Sequence, residues 1–466
     1  MRTSSSGMGY LIFLSAIAAL GGFLFGYDAA VISGTITFVT KQFGLDTLHQ
    51  GWYVGCALIG SILGVSMAGI LTDKFGRKRT MMVSALLFTI SGVGCAMAGG
   101  FFDLVIYRII GGIGIGVVSI VSPLYISEVS IARVRGRMVS LYQLAITIGF
   151  LGAYLINFQL LQISENHVFN NFLVNKVFVN EVWRGMLGVS SVPSFLFLVT
   201  TLLIPESPRW LILKQLPNKA TPILRRIYRD DEMAEAQLLE TQKVIQIENR
   251  SEWAFLLKPG IRKAVLIGMS IALLGQFMGV NAVLYYGPTI FSDSGLSNGD
   301  SLFYQVLVGL VNSITTIIAL LIIDRVGRKQ LVYWGVSGMI VSLVLIGLYF
   351  LYGQALEITP IVLLVLFLFY IFCCAISICA VIFVLLSEMF PIKIRGLAMS
   401  IAGFSLWVGT FLIGQLTPWL LENLSPAGTF FLFAIACIPY VLIVWKLIPE
   451  TAGKSLEEIE RYWIKS

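Results

Sequence analysis

Apolar residues run along this chain in long blocks separated by short polar stretches. A block of about 20 mostly apolar residues is long enough, as a helix, to cross the ~30 Å hydrocarbon layer of a bilayer. The pattern predicts twelve such spans, over residues 10–33, 51–72, 80–100, 104–127, 138–161, 186–204, 264–291, 303–323, 331–352, 359–386, 397–420 and 429–448. Between the sixth and seventh lies the one long polar stretch, 205–263. Within it, residues 218–248 repeat apolar positions at three- and four-residue spacing, which predicts one or two amphipathic helices rather than a flexible linker. The expectation is an all-α membrane protein with an N-terminal six-helix half (1–204), a helical linker (205–263), a C-terminal six-helix half (264–448) and a tail (449–466).

Composition agrees. Hydrophobic residues make up 57% and charged residues 12%, against about 25% charged in soluble globular proteins. The first apolar block is too long for a signal-peptide core and lacks a small-residue cleavage site, so it is expected to remain as the first helix. Lys41, Lys176 and Arg184 fall on one side of the membrane and Arg108 inside a span. The other 28 of the 32 Lys and Arg fall on the side of the termini and linker. By the positive-inside rule both termini are cytoplasmic. The net charge of +7 thus follows from topology, and nucleic-acid binding is not read into it. All six Cys lie in predicted spans and the two His, His49 and His167, in or near outside loops. No disulfide framework, metal site or cofactor is expected.

Short motifs repeat between the halves. Gly69 to Arg79 reads GILTDKFGRKR and Leu321 to Lys329 reads LIIDRVGRK. ISEV with a following RVRGR (Ile126 to Arg137) matches LSEMFPIKIRG (Leu386 to Gly396). IPESPRWL (Ile204 to Leu211) matches IPETAGKSL (Ile448 to Leu456). Motif pairs in one order mark a duplicated membrane protein. Together with GYD around Asp28, YRIIGGIG (Tyr107 to Gly114) and GVNAVLYY (Gly279 to Tyr286), they make the chain resemble the sugar porter family of the major facilitator superfamily. Within that family it is most similar to the bacterial xylose–proton symporters. The resemblance covers nearly the whole chain and implies two pseudo-symmetric six-helix bundles around a cavity that opens alternately to each side.

Two charges stand inside spans: Asp28 in the first and Arg108 in the fourth. A charge at mid-span costs about 2.5–3.5 kcal/mol on insertion scales, so it lines a cavity and has a partner. Their positions allow similar depths, and hence a salt bridge. Burial disfavours a charged carboxyl and a guanidinium favours it, so movement of one against the other can tie transport to protonation. A fixed ion pair without proton traffic is the alternative. In proton-linked sugar porters the matching positions carry Asp and Arg, which implies that Asp28 accepts the proton and Arg108 partners it.

Side-chain amides supply both donor and acceptor to sugar hydroxyls. Gln143, Gln276, Asn281 and Asn312 lie in spans at positions that the resemblance assigns to sugar, and Phe25, Tyr285 and Trp407 match aromatic positions around the pocket. Hydrogen bonding between helices is the alternative for any one amide. The chain departs from the family where Gly275 replaces a first Gln, and where Leu406 replaces the Gln before Trp407. It departs again where Cys379 to Phe383 replaces a Gly-Pro-x-x-Trp motif, losing the proline and putting Phe383 in place of the Trp. A pentose, a hexose, inositol or a related polyol all stay open as solute.

At the cytoplasmic face, Asp73, Arg77, Glu128, Arg135, Glu206 and Arg209 are echoed by Asp324, Arg328, Glu388, Arg395 and Glu450. Such charges can pair across the bundles and be released as the bundles rock apart, forming a gate. Plain topology signalling by the basic residues is the alternative. Gly111 to Gly116 (GGIGIG) is read as close helix packing, and the sequon at Asn423 is discounted. The expected function is import of a monosaccharide or polyol with a proton by alternating access. Its rivals are a facilitative uniporter and a non-transporting sensor on the same fold, and no enzyme constellation is found. Expected partners are the small solute, a proton and the lipid bilayer, with the chain acting as a monomer in a bacterial inner membrane.

Overall fold

The computed structural model describes residues 5–131, 133–247, 256, 258–353, 355–391, 394–450, 458–459 and 462–463, excluding the side chains of 5–7, 243–247 and 324. The described residues are helical, with no strand among them. Twelve helices are long and apolar enough to cross a membrane, and each corresponds to a predicted span. The boundaries shift by a few residues, most at the first span, which runs from Met8 to Phe43 and stops where Gly44 takes a left-handed conformation. Large apolar side chains such as Ile70, Phe102, Val192, Leu321, Trp334 and Ile435 stay exposed on the helices. Such faces fit hydrocarbon rather than water.

Among its described residues the linker forms the helices Pro208–Leu213, Pro217–Tyr228 and Asp231–Ile247. Two start with proline, whose missing N–H costs nothing in a first turn, and the third has Asp231 and Glu232 in its first turn, which suits the helix dipole. Ala220, Leu224 and Ile227 recur at helical spacing and are buried. Most of the tail lies outside the described residues.

Two compact units form. One comprises Met1–Ala29, Ile59–Ala153 and Arg184–Arg250; the other comprises Ala30–Leu58, Tyr154–Trp183 and Ser251–Ser466. The units cut across the sequence halves because the ends of the first, second and fifth spans remote from the termini pack among C-terminal helices. Within this second unit Thr47 Oγ1 donates to Glu422 Oε2 at 2.7 Å, Gln415 Nε2 to the Leu48 carbonyl at 3.1 Å, and Tyr154 Oη to the Leu284 carbonyl at 2.8 Å.

Within the first unit, the glycine run of the fourth span (Phe101–Val129) does what small residues do in membranes. A methyl added at Gly116 would collide with the Ser61 carbonyl of the second span. Arg184, buried, closes the far end of the third span (Arg77–Met97) by donating to the carbonyls of Ala96 and Ala98 at 3.2 and 2.6 Å. A cation at a helix C-terminus satisfies the last carbonyls and the dipole together.

The seventh and tenth spans are not regular helices. The seventh span is broken: one helix runs Pro259–Phe277 and the next Val280–Asp293, with Gly279 at φ +89° between them. The break frees the Met278 carbonyl, and Tyr370 Oη donates to it at 2.7 Å. The tenth span runs Pro360–Cys374, widens into a π-turn over Ala375–Cys379, and resumes as Ala380–Met389. The π-turn stands in the region where the sequence departs from the family's proline motif.

Candidate functional site

The charged motifs build one clamp in each unit. In the first, Gly76 (φ +92°) turns the chain so that Arg77 begins the third span. Its Nε and Nη2 each lie 2.9 Å from a different oxygen of Glu128, at the end of the fourth span. Such forked pairing is the strong form of an Arg–carboxylate contact. Nη1 reaches the Thr72 carbonyl at 3.2 Å. Glu206 Oε1 accepts from the backbone amides of Arg77 and Lys78 at 2.8 and 3.1 Å, placing a negative charge on a helix N-terminus. Lys78 Nζ in turn donates to the Leu202 carbonyl at 2.8 Å.

The second unit repeats the arrangement with the same residue types. Gly327 (φ +94°) precedes Arg328, whose Nε and Nη2 donate to Glu388 at 3.1 and 2.8 Å. Arg328 Nη1 donates to the Ile323 carbonyl at 3.2 Å. Glu450 accepts from the amides of Arg328 and Lys329 at 3.3 and 3.1 Å, and Lys329 Nζ donates to the Ile448 carbonyl at 2.8 Å.

Other members of the predicted gate are placed more loosely. Asp73 is exposed and 3.5 Å from Arg77 Nη1. Arg135 and Arg209 are exposed and line a cavity of about 190 Å³ with Glu128, Tyr228 and Glu240. Burial pushes the Tyr228 hydroxyl above its usual range, with Arg135 opposing and Glu240 adding. Arg395 is half-buried at the start of the eleventh span. The side chain of Asp324 lies outside the described residues.

Inside the first unit the two span charges meet. Arg108 Nη1 lies 2.9 and 3.0 Å from the two oxygens of Asp28, with Asp28 5% and Arg108 2% exposed. Gly111, one turn beyond Arg108, lets the third and fourth spans approach: a methyl there would collide with the Ser91 side chain. On the same unit, Phe25 and Gln143 are half-buried on the first and fifth spans, which approach closely where Gly22 packs on Tyr142. The Gln143 amide has no hydrogen-bond partner among the described residues.

The second unit gathers amides at the break in the seventh span. Gln276 ends the helix before the break and Asn281 begins the one after it, so Asn281 Nδ2 donates across the gap to Gln276 Oε1 at 2.7 Å. Thr410 Oγ1, on the eleventh span, lies 3.2 Å from the same oxygen and 2.9 Å from the Leu406 carbonyl, so its one proton is shared between them. With its acceptor engaged twice, Gln276 keeps its NH₂ donors for something else. Asn312 is buried, and its side-chain amide has no protein partner among the described residues. Tyr285 and Trp407 are buried, while Phe383 is 47% exposed.

A model of the family described as sugar (and other) transporter matches residues 14–463. The chain belongs to this sugar transporter family. It is 39% identical to an arabinose–proton symporter of Bacillus subtilis, over 99% of this chain and 97% of that one. It is 35% identical to a D-xylose–proton symporter of Escherichia coli, over 97% and 96% respectively. Among solved structures it resembles a partially occluded, inward-open conformation of the xylose transporter XylE from E. coli, with a TM-score of 0.82 and 33% identity over 96% of this chain and 100% of that one. The chain is a sugar transporter of the major facilitator fold, an integral protein of the inner membrane and not an enzyme.

Sequence reasoning missed several residues. Counting amides in spans also finds Asn157 and Gln305. Both serve the backbone: Asn157 Nδ2 donates to the Val31 carbonyl at 3.1 Å and Gln305 Nε2 to the Leu284 carbonyl at 3.1 Å. Pro288 cannot donate to Leu284, four residues earlier, and Gln305 and Tyr154 satisfy that carbonyl instead. Thr410 and the carbonyl-binding Lys78 and Lys329 carried no signal that sets them apart in a linear chain.

Proposed function

We propose that this transporter imports a monosaccharide or polyol together with a proton by alternating access. The observation that carries the proton half is the buried Asp28–Arg108 pair, 2.9 Å apart inside a bundle of membrane helices. Protonating Asp28 removes one charge of the pair and loosens it. Arg108 holds its own charge throughout, which is the property a partner needs. A conformational change that depends on that loosening cannot proceed without the proton.

The solute is held, in this reading, by Gln143, Gln276, Asn281 and Asn312, with Phe25, Tyr285, Phe383 and Trp407 offering apolar faces. Support comes from the amides of Gln143 and Asn312, which have no side-chain partner among the described residues, and from the NH₂ of Gln276, whose oxygen alone is engaged. Pentoses come first among solutes because the arabinose and xylose symporters are such close relatives. Hexoses and inositol follow, since Gly275 and Leu406 remove hydrogen-bonding groups that the family pattern carries. The halves 1–204 and 264–448 are the moving bodies and 205–263 their cytoplasmic linker. Both termini face the cytoplasm, as the distribution of Lys and Arg requires, and the chain acts as a monomer.

The charges from Asp73 to Glu450 form the cytoplasmic gate. Each clamp fixes its own helix ends, and the gate charges regroup when that side closes. The test is uptake of labelled xylose, arabinose, glucose, galactose and myo-inositol into proteoliposomes, with and without an inward proton gradient, beside Asp28→Asn. Gradient-dependent accumulation that the substitution abolishes supports symport. Equilibration indifferent to both gradient and substitution makes the protein a uniporter with a structural ion pair.

A further inference from the structure

The π-turn in the tenth span brings two thiols together. In a regular α-helix, residues five apart are separated by about 7.5 Å along the axis and point about 140° apart. Here the widened turn over Ala375–Cys379 stacks the fifth residue over the first. Cys379 Sγ lies 3.6 Å from Cys374 Sγ as a result. The two sulfurs need to close by only about 1.6 Å to reach disulfide distance.

The turn is held in this shape by its surroundings. Ser377 at its centre presses against Gly335 of the ninth span (Arg328–Tyr352), where any larger residue would collide with it, and its Oγ donates to the Cys373 carbonyl at 2.6 Å. Cys374 is buried, while Cys379 is half-buried and so within reach of a small oxidant. The neighbouring thiols are engaged elsewhere: Cys437 donates to the Phe433 carbonyl at 3.3 Å, and Cys373 packs against Gly338.

We propose that Cys374 and Cys379 form an oxidation-sensitive thiol pair whose disulfide arrests transport by locking the π-turn of the tenth span. The oxidant is a peroxide. Cys379 Sγ attacks one peroxide oxygen, the O–O bond breaks, and one water leaves as the sulfenic acid forms. Cys374 Sγ then attacks Cys379 Sγ, the S–S bond forms and the S–O bond breaks. The hydroxide leaves with the Cys374 proton as a second water. The pair has lost two hydrogens, and the peroxide has been reduced to two waters. π-turns inside α-helices occur frequently at functional sites, and a cross-link between Cys374 and Cys379 holds this one in place, since a regular helix would separate the two sulfurs.

The experiment treats the purified transporter with hydrogen peroxide, alkylates the remaining thiols, and locates the unmodified cysteines by mass spectrometry. Cys374 and Cys379 are expected to escape alkylation, in a peptide lighter by two hydrogens, and to become alkylated after reduction. Alkylation of both as in untreated protein, or protection of a different pair, overturns the proposal. In proteoliposomes, peroxide should abolish sugar uptake by the wild type, and a dithiol reductant should restore it. Cys374→Ser and Cys379→Ser should each transport and resist peroxide. Equal inhibition of either variant also overturns the proposal, and the thiol mapping gives an answer even where a variant folds poorly.

Discussion

At one end of each half an arginine forks onto a glutamate, a second glutamate covers the amides of the same helix start, and a lysine ties down a neighbouring helix end. Arg77, Glu128, Glu206 and Lys78 do this in the first half; Arg328, Glu388, Glu450 and Lys329 do it in the second. The interiors share no such likeness. The first half buries an ion pair, Asp28–Arg108. The second places Gln276, Asn281 and Thr410 around a broken helix. Duplication kept the parts that hold helix ends and let the interiors diverge. One half became the charged half and the other supplied most of the neutral amides.

The largest effect that sharpens this contrast comes from Arg108→Ala. It leaves a carboxylate buried without its partner, which costs about 3–5 kcal/mol. Thermal unfolding in detergent should show the loss, and adding Asp28→Asn should recover most of it. An unchanged melting temperature would mean that the charge is reached by water and that the contrast between the interiors is overdrawn.

Next in size, Asn312→Ala and Gln276→Ala should raise the KM for sugar about tenfold or more, the value of one or two well-made hydrogen bonds, while melting changes little. A drop in stability with KM intact would assign these amides to helix packing.

Glu128→Gln and Glu388→Gln should then destabilise by similar amounts, about 1–3 kcal/mol each, since each strips the charge from a forked pair. Unequal losses would show that the repeated geometry hides unequal roles, with one clamp doubling as the gate. Smallest of the set, Thr410→Val removes one donor to Gln276 Oε1 and should raise KM only about threefold, the scale of a weak neutral hydrogen bond. An effect as large as that of Gln276→Ala would place Thr410 against the sugar itself.

The spans were legible because apolar blocks of that length have few other uses, and the clamps because their charges repeat in order. What Glu206 and Glu450 do was not legible: a glutamate after Ile-Pro becomes a helix cap only when another helix begins beside it. The π-turn was hidden for a similar reason. Cys-Cys-Ala-Ile-Ser-Ile-Cys is an unremarked apolar run until Gly335 on another helix makes room for Ser377. Nor could residue type separate Gln305, which serves a carbonyl freed by Pro288, from Gln276, whose donors stay available. The Asp28–Arg108 contact was legible because the two charges lie inside apolar blocks, the first and the fourth, at positions that allow similar depths.

The central claim is that a proton crosses with each sugar by way of Asp28. It is tested most directly by adding sugar to de-energised proteoliposomes in weak buffer and recording external pH. The account predicts a sugar-dependent alkalinisation with the wild type and none with Asp28→Asn, while the variant still exchanges labelled for unlabelled sugar. A wild type that moves sugar without any pH change, or a variant that moves protons as the wild type does, would contradict it.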